Sequence, residues 1–424
     1  MTRLELLQRR LYRCAKEDKT KIFYSLHDKI CRIDILKTAW KMVSSNRGSP
    51  GIDGQTIEDI QRNEDVFLGE LQRELREKTY NVECVRRVFI PKANGKQRPL
   101  GIPTVKDRIV QQAVKLVIEP IFEADFKNSS YAYRPNRSAR QASLEVRKYI
   151  NYGCTNVIDM DIKGFFDSID HDRLIELVME RVSDPYLIKL IREWLRAGVI
   201  YGETKVNPTL GTPQGGVISP LLANIYLNFI DRNWESMRMD NPQTFDAHLI
   251  HYADDYVILT SGDTARPMKV ITALLSHLKL ELNVEKTHIV KADQGFDFLG
   301  IHFVRSRTRG RSVTYFFPSR KSMENFRNRV REIIPRSKAH FKTEQEAIKQ
   351  LNYLITGWTN YFNHTNANRV YGKLQDYLTW KAAKFYCEKH KIRKVSDEED
   401  TRKKFYNLGL KYLKGNITHR VAHQ

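Results

Sequence analysis

The chain has 424 residues, 41% hydrophobic, 29% charged and 10% aromatic, and its 71 Lys and Arg against 50 Asp and Glu give a net charge of +21. This composition excludes collagen-like repeats and wholesale disorder, and the length suggests about two to four domains. No apolar run approaches about 18 residues, which predicts no spanning helix; a charged N-terminus predicts no secretory leader; five cysteines without a CxxC pair predict neither a zinc cluster nor a disulfide framework.

The charge is uneven. Residues 301–424 hold 27 basic and 10 acidic residues, whereas residues 1–300 hold 44 and 40. A basic segment joined to a nearly neutral body points to a polyanionic partner, nucleic acid before an anionic membrane surface.

In chain order, the first 45 residues read as two helices. Leu4, Leu7 and Leu11 share one face; Ile35, Leu36, Trp40 and Val43 share another. The run Gly51-Ile52-Asp53-Gly54 is a turn signal. A strand over 84–90, an Asn94-Gly95 turn and a returning strand over 97–102 predict a hairpin. Residues 105–124 read as helix, 154–161 as strand, 170–199 as helix, and 217–239 as helix after a Gly-rich loop. Residues 247–260 read as strand, turn, strand; 268–280 as an amphipathic helix; 296–303 as a strand. After about residue 305 the pattern predicts helices only. Met323, Phe326, Val330 and Ile333 form one stripe, and Thr343 with Glu346 is placed as a capping box. The following helix carries Ile348, Leu351 and Trp358, and a third stripe runs from Val370 to Phe385. An α+β body is therefore expected, followed by an all-α basic module.

Two segments place acids beside apolar strands. Val157 to Ile162 alternates apolar and acidic residues, with Asp159 and Asp161 on one strand parity. Leu249 to Leu259 carries Asp254-Asp255 inside a hydrophobic hairpin. Carboxylates brought together repel unless a cation joins them, and Mg²⁺ prefers oxygen ligands. The expected chemistry is phosphoryl transfer assisted by two metal ions.

Tyr252-Ala253-Asp254-Asp255 resembles the catalytic hairpin of reverse transcriptases. The resemblance runs in order along the chain, to the reverse transcriptase/maturases encoded by group II introns. It takes in Gly51 to Gly54, Arg98 to Pro103 with Asp107 to Gln111, and Tyr133 to Ser138. It continues through Asp161 to Phe166 with Asp167 and His171, Gly211 to Gly216 with Ser219 to Asn224, and Phe298 to Gly300. In the helical tail, Leu351-Asn352 and Gly357 to Phe362 resemble the maturase module, or X domain, of that family. No Cys-pair or His-Asn-His pattern follows Lys389, so the metal-dependent endonuclease domain of longer relatives is not expected.

The resemblance implies a right-hand polymerase, α+β in class. It would have an N-terminal helical extension (1–75), fingers and palm (76–305), an all-α thumb/X module (306–390) and a short basic segment (391–424). It implies RNA-directed DNA synthesis, with binding of the intron RNA to assist splicing and mobility. The implied partners are intron RNA, an RNA template with primer, target DNA and dNTPs, in a bacterial cytoplasm and without a membrane. The cofactor would be two Mg²⁺ ions, with Mn²⁺ as a substitute. Asp161, Asp254 and Asp255 are the implied catalytic and metal-binding residues, with Ile162 counted in the metal site and Asp159 a supporting or solvated group. Phe166 would gate against a ribose 2′-hydroxyl, with Phe165 in the core. Arg98 would lie over the triphosphate, where a planar guanidinium suits phosphate. Gln214 would sit near the nascent base pair. Lys286 would protonate the leaving pyrophosphate, or pair with the triphosphate or with Glu285. Lys92 and Lys96 are template contacts or surface lysines. Arg305, Arg307, Arg309 and Arg311 are the expected RNA-binding cluster, and Trp358, Tyr361 and Phe362 are expected in the core. Two other functions fit the same residues: a related polymerase detached from any intron and used in repair or phage defence, and a splicing cofactor that only binds RNA.

Overall fold

A computed structural model describes residues 1–91, 97–201, 204–206, 209–212, 215–308, 310–335, 343–391 and 404–413, the side chains of Arg98, Lys205 and Thr308 excepted. Lys92, Lys96, Gln214 and Arg309 lie outside the described residues. By internal contacts the chain divides into two units. The first comprises residues 1–138, 160–258 and 263–288, the second 139–159, 259–262 and 289–424.

In the first unit, helix Arg3–Glu17 starts at a capping box in which Thr2 and Glu5 satisfy each other's backbone N–H groups. It and helix Ile33–Ser45 pack on helix Val105–Glu123, whose Ile109, Val110, Ala113, Val114, Val117 and Ile118 are fully buried. Nearly every face of that helix is buried, Asp107, Arg108, Gln111 and Gln112 included. Its first turn holds a buried Asp107 that accepts a hydrogen bond from the Tyr80 hydroxyl. Burial pushes this carboxyl up to about 6.

Strand Val85–Pro91 pairs antiparallel with Gln97–Ile102, in a register running from Pro91 opposite Gln97 to Arg86 opposite Ile102. Two short strands, Val199–Tyr201 and Thr204–Val206, complete this sheet. The helix expected over 170–199 is two helices, His171–Met179 and Pro185–Arg196. Asp184 caps the second by accepting from the Tyr186 and Leu187 N–H groups, and Pro185 sits at its start, where a missing N–H costs nothing. A second sheet runs Ala247–Tyr252, Asp255–Thr260, Asn156–Asp161, His288–Lys291 in that order.

The second unit departs most from expectation. The strand expected over 296–303 is two strands, Phe296–Phe298 and Ile301–Thr308, joined through Leu299 and Gly300 at φ of 51° and 73°. The chain beyond 305 is not all helix: strand Arg311–Pro318 pairs antiparallel with Ile301–Thr308, Thr308 facing Arg311 across the turn. The arginines at 305 and 307 carry the two-residue period of a strand, and reading them only as charge hid it. Helix Ala139–Asn151 was also missed; its buried Ser143 hydroxyl meets His364 Nε2 at 2.8 Å.

Helices Arg320–Ile333, Glu344–Phe362 and Asn368–Lys389 then enclose a core of Phe326, Val330, Leu351, Ile355, Leu374 and Leu378. The capping box of Thr343 and Glu346 forms as expected. Tyr361, expected in this core, is 41% exposed, and its hydroxyl donates to the Leu299 carbonyl at 2.9 Å. Among the described residues no helix is long and apolar enough to cross a membrane.

Candidate active site

The acidic hairpin is built from strands Ala247–Tyr252 and Asp255–Thr260, joined by Ala253 and Asp254 alone. A two-residue link between twisted strands requires a positive φ, and Ala253 supplies it at 58°. For a residue with a Cβ that conformation costs about 1–3 kcal/mol, so the surroundings must hold it. His251 does so. Its Nδ1 lies 3.1 Å from the Ala253 carbonyl, and its Nε2 lies 3.0 Å from Oδ2 of Asp231. The ring thus bridges the carbonyl of the turn and the carboxyl of Asp231. His251 is completely buried and stacks on Tyr256 with ring centroids 4.5 Å apart. Asp231, on helix Ser219–Ser236, is buried too and also accepts from the Ser129 hydroxyl at 2.6 Å.

Asp161 ends strand Asn156–Asp161. Residues 281–283 lace onto it: the Asn283 N–H donates to the Asp161 carbonyl, and the Lys163 N–H donates to the Glu281 carbonyl, both at 2.9 Å. Ile162 is paired with Leu282 between those two bonds. In an antiparallel pair of this kind the flanked residue turns its own N–H and C=O away from the partner, leaving the Ile162 carbonyl directed elsewhere. The Asp161 side chain accepts from Asn283 Nδ2 at 3.1 Å and from Lys286 Nζ at 2.8 Å.

Lys286 lies in a short 3₁₀ turn, Val284–Lys286. Its hydrogen bond to Asp161 holds its ammonium above the ordinary lysine range, and the charges of Asp161, Asp254 and Asp255 act in the same direction. All three predicted acids therefore bear on one ammonium. Of the partners expected for Lys286, Glu285 is not the one it bonds; Asp161 is.

Phe165 is buried, whereas Phe166 is half-buried, its ring 5.1 Å from that of Phe165. Gly211, at φ 87°, lies against this segment so closely that a Cβ there would come within 2.9 Å of the Phe166 carbonyl oxygen. The Thr212 N–H donates to that same oxygen at 2.8 Å, and His171 Nε2 holds the Gly211 carbonyl at 2.7 Å. Farther along the loop, a Cβ at Gly215 would run into the Gly101 carbonyl oxygen. The backbone on one side of Gln214 thus touches the strand Gln97–Ile102, on which Arg98 is paired with Ile90. Asp159 is half-buried on the same strand as Asp161.

Arg305 and Arg307 lie on strand Ile301–Thr308, two residues apart and so on one face. Arg307 opposes Ser312 while Thr308 opposes Arg311. Residues directly opposite share a face and neighbours alternate, so Arg311 points to the other side. Arg311 therefore does not join Arg305 and Arg307 in one cluster, and Arg309 lies outside the described residues.

The sequence reading overlooked His251, Asp231 and Asn283. A lone histidine in the otherwise apolar run Leu249 to Ala253 was the available signal, because a buried polar ring needs partners. Nothing local marks Asp231 as its partner, 20 residues earlier.

Residues 90–303 match the family described as reverse transcriptase (RNA-dependent DNA polymerase), and residues 323–405 match the group II intron, maturase-specific domain. Protein YkfC of Escherichia coli K12 is 34% identical over 338 residues, covering 72% of this chain and 89% of that protein. The group II intron-encoded protein LtrA of Lactococcus lactis subsp. cremoris is 29% identical over 392 residues, covering 75% of this chain; this chain spans 65% of its length. An uncharacterized 91 kDa protein in a cob intron of Schizosaccharomyces pombe is 34% identical over 230 residues, 52% of this chain and 28% of that protein. With a polymerase match over half its length and a maturase-specific match after it, the chain belongs to the group II intron-encoded reverse transcriptase/maturase family.

Proposed function

We propose that the chain is an RNA-directed DNA polymerase working through Asp161, Asp254 and Asp255 with two Mg²⁺ ions, and that it also binds its intron RNA to assist splicing and mobility. In this reading the molecule is a right-hand polymerase. Residues 1–75 form the N-terminal extension, 76–305 the fingers and palm, 306–390 the thumb/X module and 391–424 a basic end. Template, primer, target DNA and dNTPs are its substrates and partners.

The observation that carries the reading is the Lys286 ammonium held 2.8 Å from Asp161, where Asp254 and Asp255 of the two-residue turn also act on its charge. An all-oxygen donor set that already gathers one cation fits Mg²⁺. The Ile162 carbonyl, turned away from residues 281–283, is the backbone donor that fits the same site. When bound, the ions supply activation of the primer 3′-hydroxyl and stabilisation of charge on the triphosphate.

The chain's own groups do the rest. The His251 tether holds the turn that presents Asp254 and Asp255. Residues 281–283 fix the backbone of Asp161, and Asn283 orients its carboxylate. Lys286, charged at neutral pH, is placed to exchange Asp161 for the triphosphate and to give a proton to the leaving pyrophosphate. The half-buried Phe166 ring, backed by Phe165 and by the Gly211 loop, excludes a ribose 2′-hydroxyl. Arg98 and Gln214 meet the incoming nucleotide; Gly215 lies against Gly101, on the strand that carries Arg98.

The test is Asp254→Ala, assayed by DNA-primed extension on an RNA template and by a filter-binding titration with the same RNA. The expected result is loss of extension with RNA affinity within a few-fold of wild type. Extension near the wild-type rate would overturn the site.

A further inference from the structure

The second unit contains a cavity of about 440 Å³ lined by Thr155, Asn156, Lys291, Asp293, Arg305 and Arg307, with Ser306 and Ser312 at its rim. Three cations and one carboxylate face it. Its floor is fixed by backbone bonds: the Ala292 N–H donates to the Thr155 carbonyl at 2.8 Å, and the Arg305 N–H donates to the Ala292 carbonyl at 2.7 Å. Lys291 and Arg305 are therefore held beside each other by main chain rather than by surface side-chain packing.

Most basic residues of the nearby helix Arg320–Ile333 are neutralised. Arg327 and Arg331 pair with Glu324, and Arg329 pairs with Glu332. Among the described residues, Lys291, Arg305 and Arg307 enter no such ion pair. Three cations against one carboxylate leave the concavity with excess positive charge, which is placed for an external anion. The hydroxyl and amide side chains between them add neutral donors of the kind that contact nucleic-acid backbones.

The geometry points to a binding site for the phosphate backbone of an RNA strand, formed by Lys291, Arg305 and Arg307 and excluding Arg311. The inference deepens the RNA-binding half of the proposed function and rests on it. Arg305 and Arg307 are spaced along one strand, which matches a row of phosphates better than a single ion. RNA is the polynucleotide favoured because the maturase-specific match, residues 323–405, belongs to the same unit. None of the lining residues belongs to the carboxylate site, so the pocket acts apart from the chemistry.

The experiment uses the full chain, with Lys291→Gln, Arg305→Gln and Arg307→Gln combined, and Arg311→Gln as the opposite-face control. Binding of a labelled 30-nucleotide single-stranded RNA is titrated at several KCl concentrations, with a duplex DNA of equal length and inorganic phosphate as competitors. Three lost phosphate contacts should flatten the slope of log K against log salt by about 2. The slope of Arg311→Gln should equal that of wild type. Equal slopes for the triple variant and wild type overturn the site, as does equal flattening in Arg311→Gln. Stronger competition by duplex DNA than by unlabelled RNA overturns the RNA assignment, and competition by phosphate at RNA-equivalent concentration overturns the strand. The polymerase proposal stands or falls separately, on Asp254→Ala.

Discussion

The buried bridge from Asp231 through His251 to Ala253 can be cut at one end or removed whole, and the two operations should differ. His251→Leu deletes the bonds at 3.0 and 3.1 Å and leaves the Asp231 carboxylate buried with the Ser129 hydroxyl beside it. Leaving the buried Asp231 carboxyl without its ring partner costs about 1–3 kcal/mol, and the lost bond to the Ala253 carbonyl adds about 0.5–1.5 kcal/mol. Against a total stability of roughly 5–15 kcal/mol, the single variant should unfold at clearly lower urea. Replacing both residues, His251→Leu with Asp231→Leu, leaves no stranded polar partner and should recover most of that loss. Activity should not return with it, because Ala253 still needs its left-handed φ and has lost its tether. A tether worth about 1 kcal/mol corresponds to roughly a five- to tenfold fall in kcat. Adding Ala253→Gly to the double variant should restore part of the rate, since glycine adopts that φ without penalty. The assays are urea denaturation and steady-state primer extension at saturating Mg²⁺. A double variant that regains full kcat together with its stability would refute the positioning role. A single variant as stable as wild type would refute the stabilising role of the bridge.

Two further outcomes are expected. Phe166→Ala should raise incorporation of ribonucleotides relative to deoxyribonucleotides by roughly 10–200-fold, the range for a steric pocket contact worth about 1–3 kcal/mol; an unchanged ratio in competition assays would make Phe166 an ordinary packing residue. The Asp107 carboxyl, raised from 3.8 to about 6 by burial, favours the folded chain most fully below pH 3.8, and that contribution is lost as pH rises through about 6. Asp107→Asn keeps an acceptor for Tyr80 and does not ionise. Its stability relative to wild type should therefore improve between pH 4 and pH 7 by on the order of 2–3 kcal/mol, read from paired denaturation curves; a difference constant with pH would refute it.

What the sequence disclosed depended on whether the signal was local. The hairpin at 252–255 was legible because two apolar strands with an Asp-Asp pair fit within a dozen residues. The capping boxes at Thr2 and Thr343 are equally local, though only the second was read. The division at Asp184 and Pro185 was missed although both residues carry a helix-start signal, because the apolar spacing continues across the break. The strand Arg311–Pro318 was missed because charge was weighed over period. The partners of the acids could not be read at all. Lys286 lies 125 positions after Asp161, and nothing in either segment names the other. Family resemblance supplied Lys286 as a candidate but not its hydrogen bond to Asp161, and it supplied neither Asn283 nor His251.

That separation also sets a schedule for the newborn chain. At about 5–20 residues per second of synthesis, the ribosome needs roughly 6–25 seconds to travel the 125 residues from Asp161 to Lys286. Throughout that interval Asp161 lacks both its lysine and the backbone lacing of residues 281–283. A nascent chain therefore carries the acidic hairpin before Asp161 has its partners, and the constellation is complete only when the last strands of the sheet have left the ribosome.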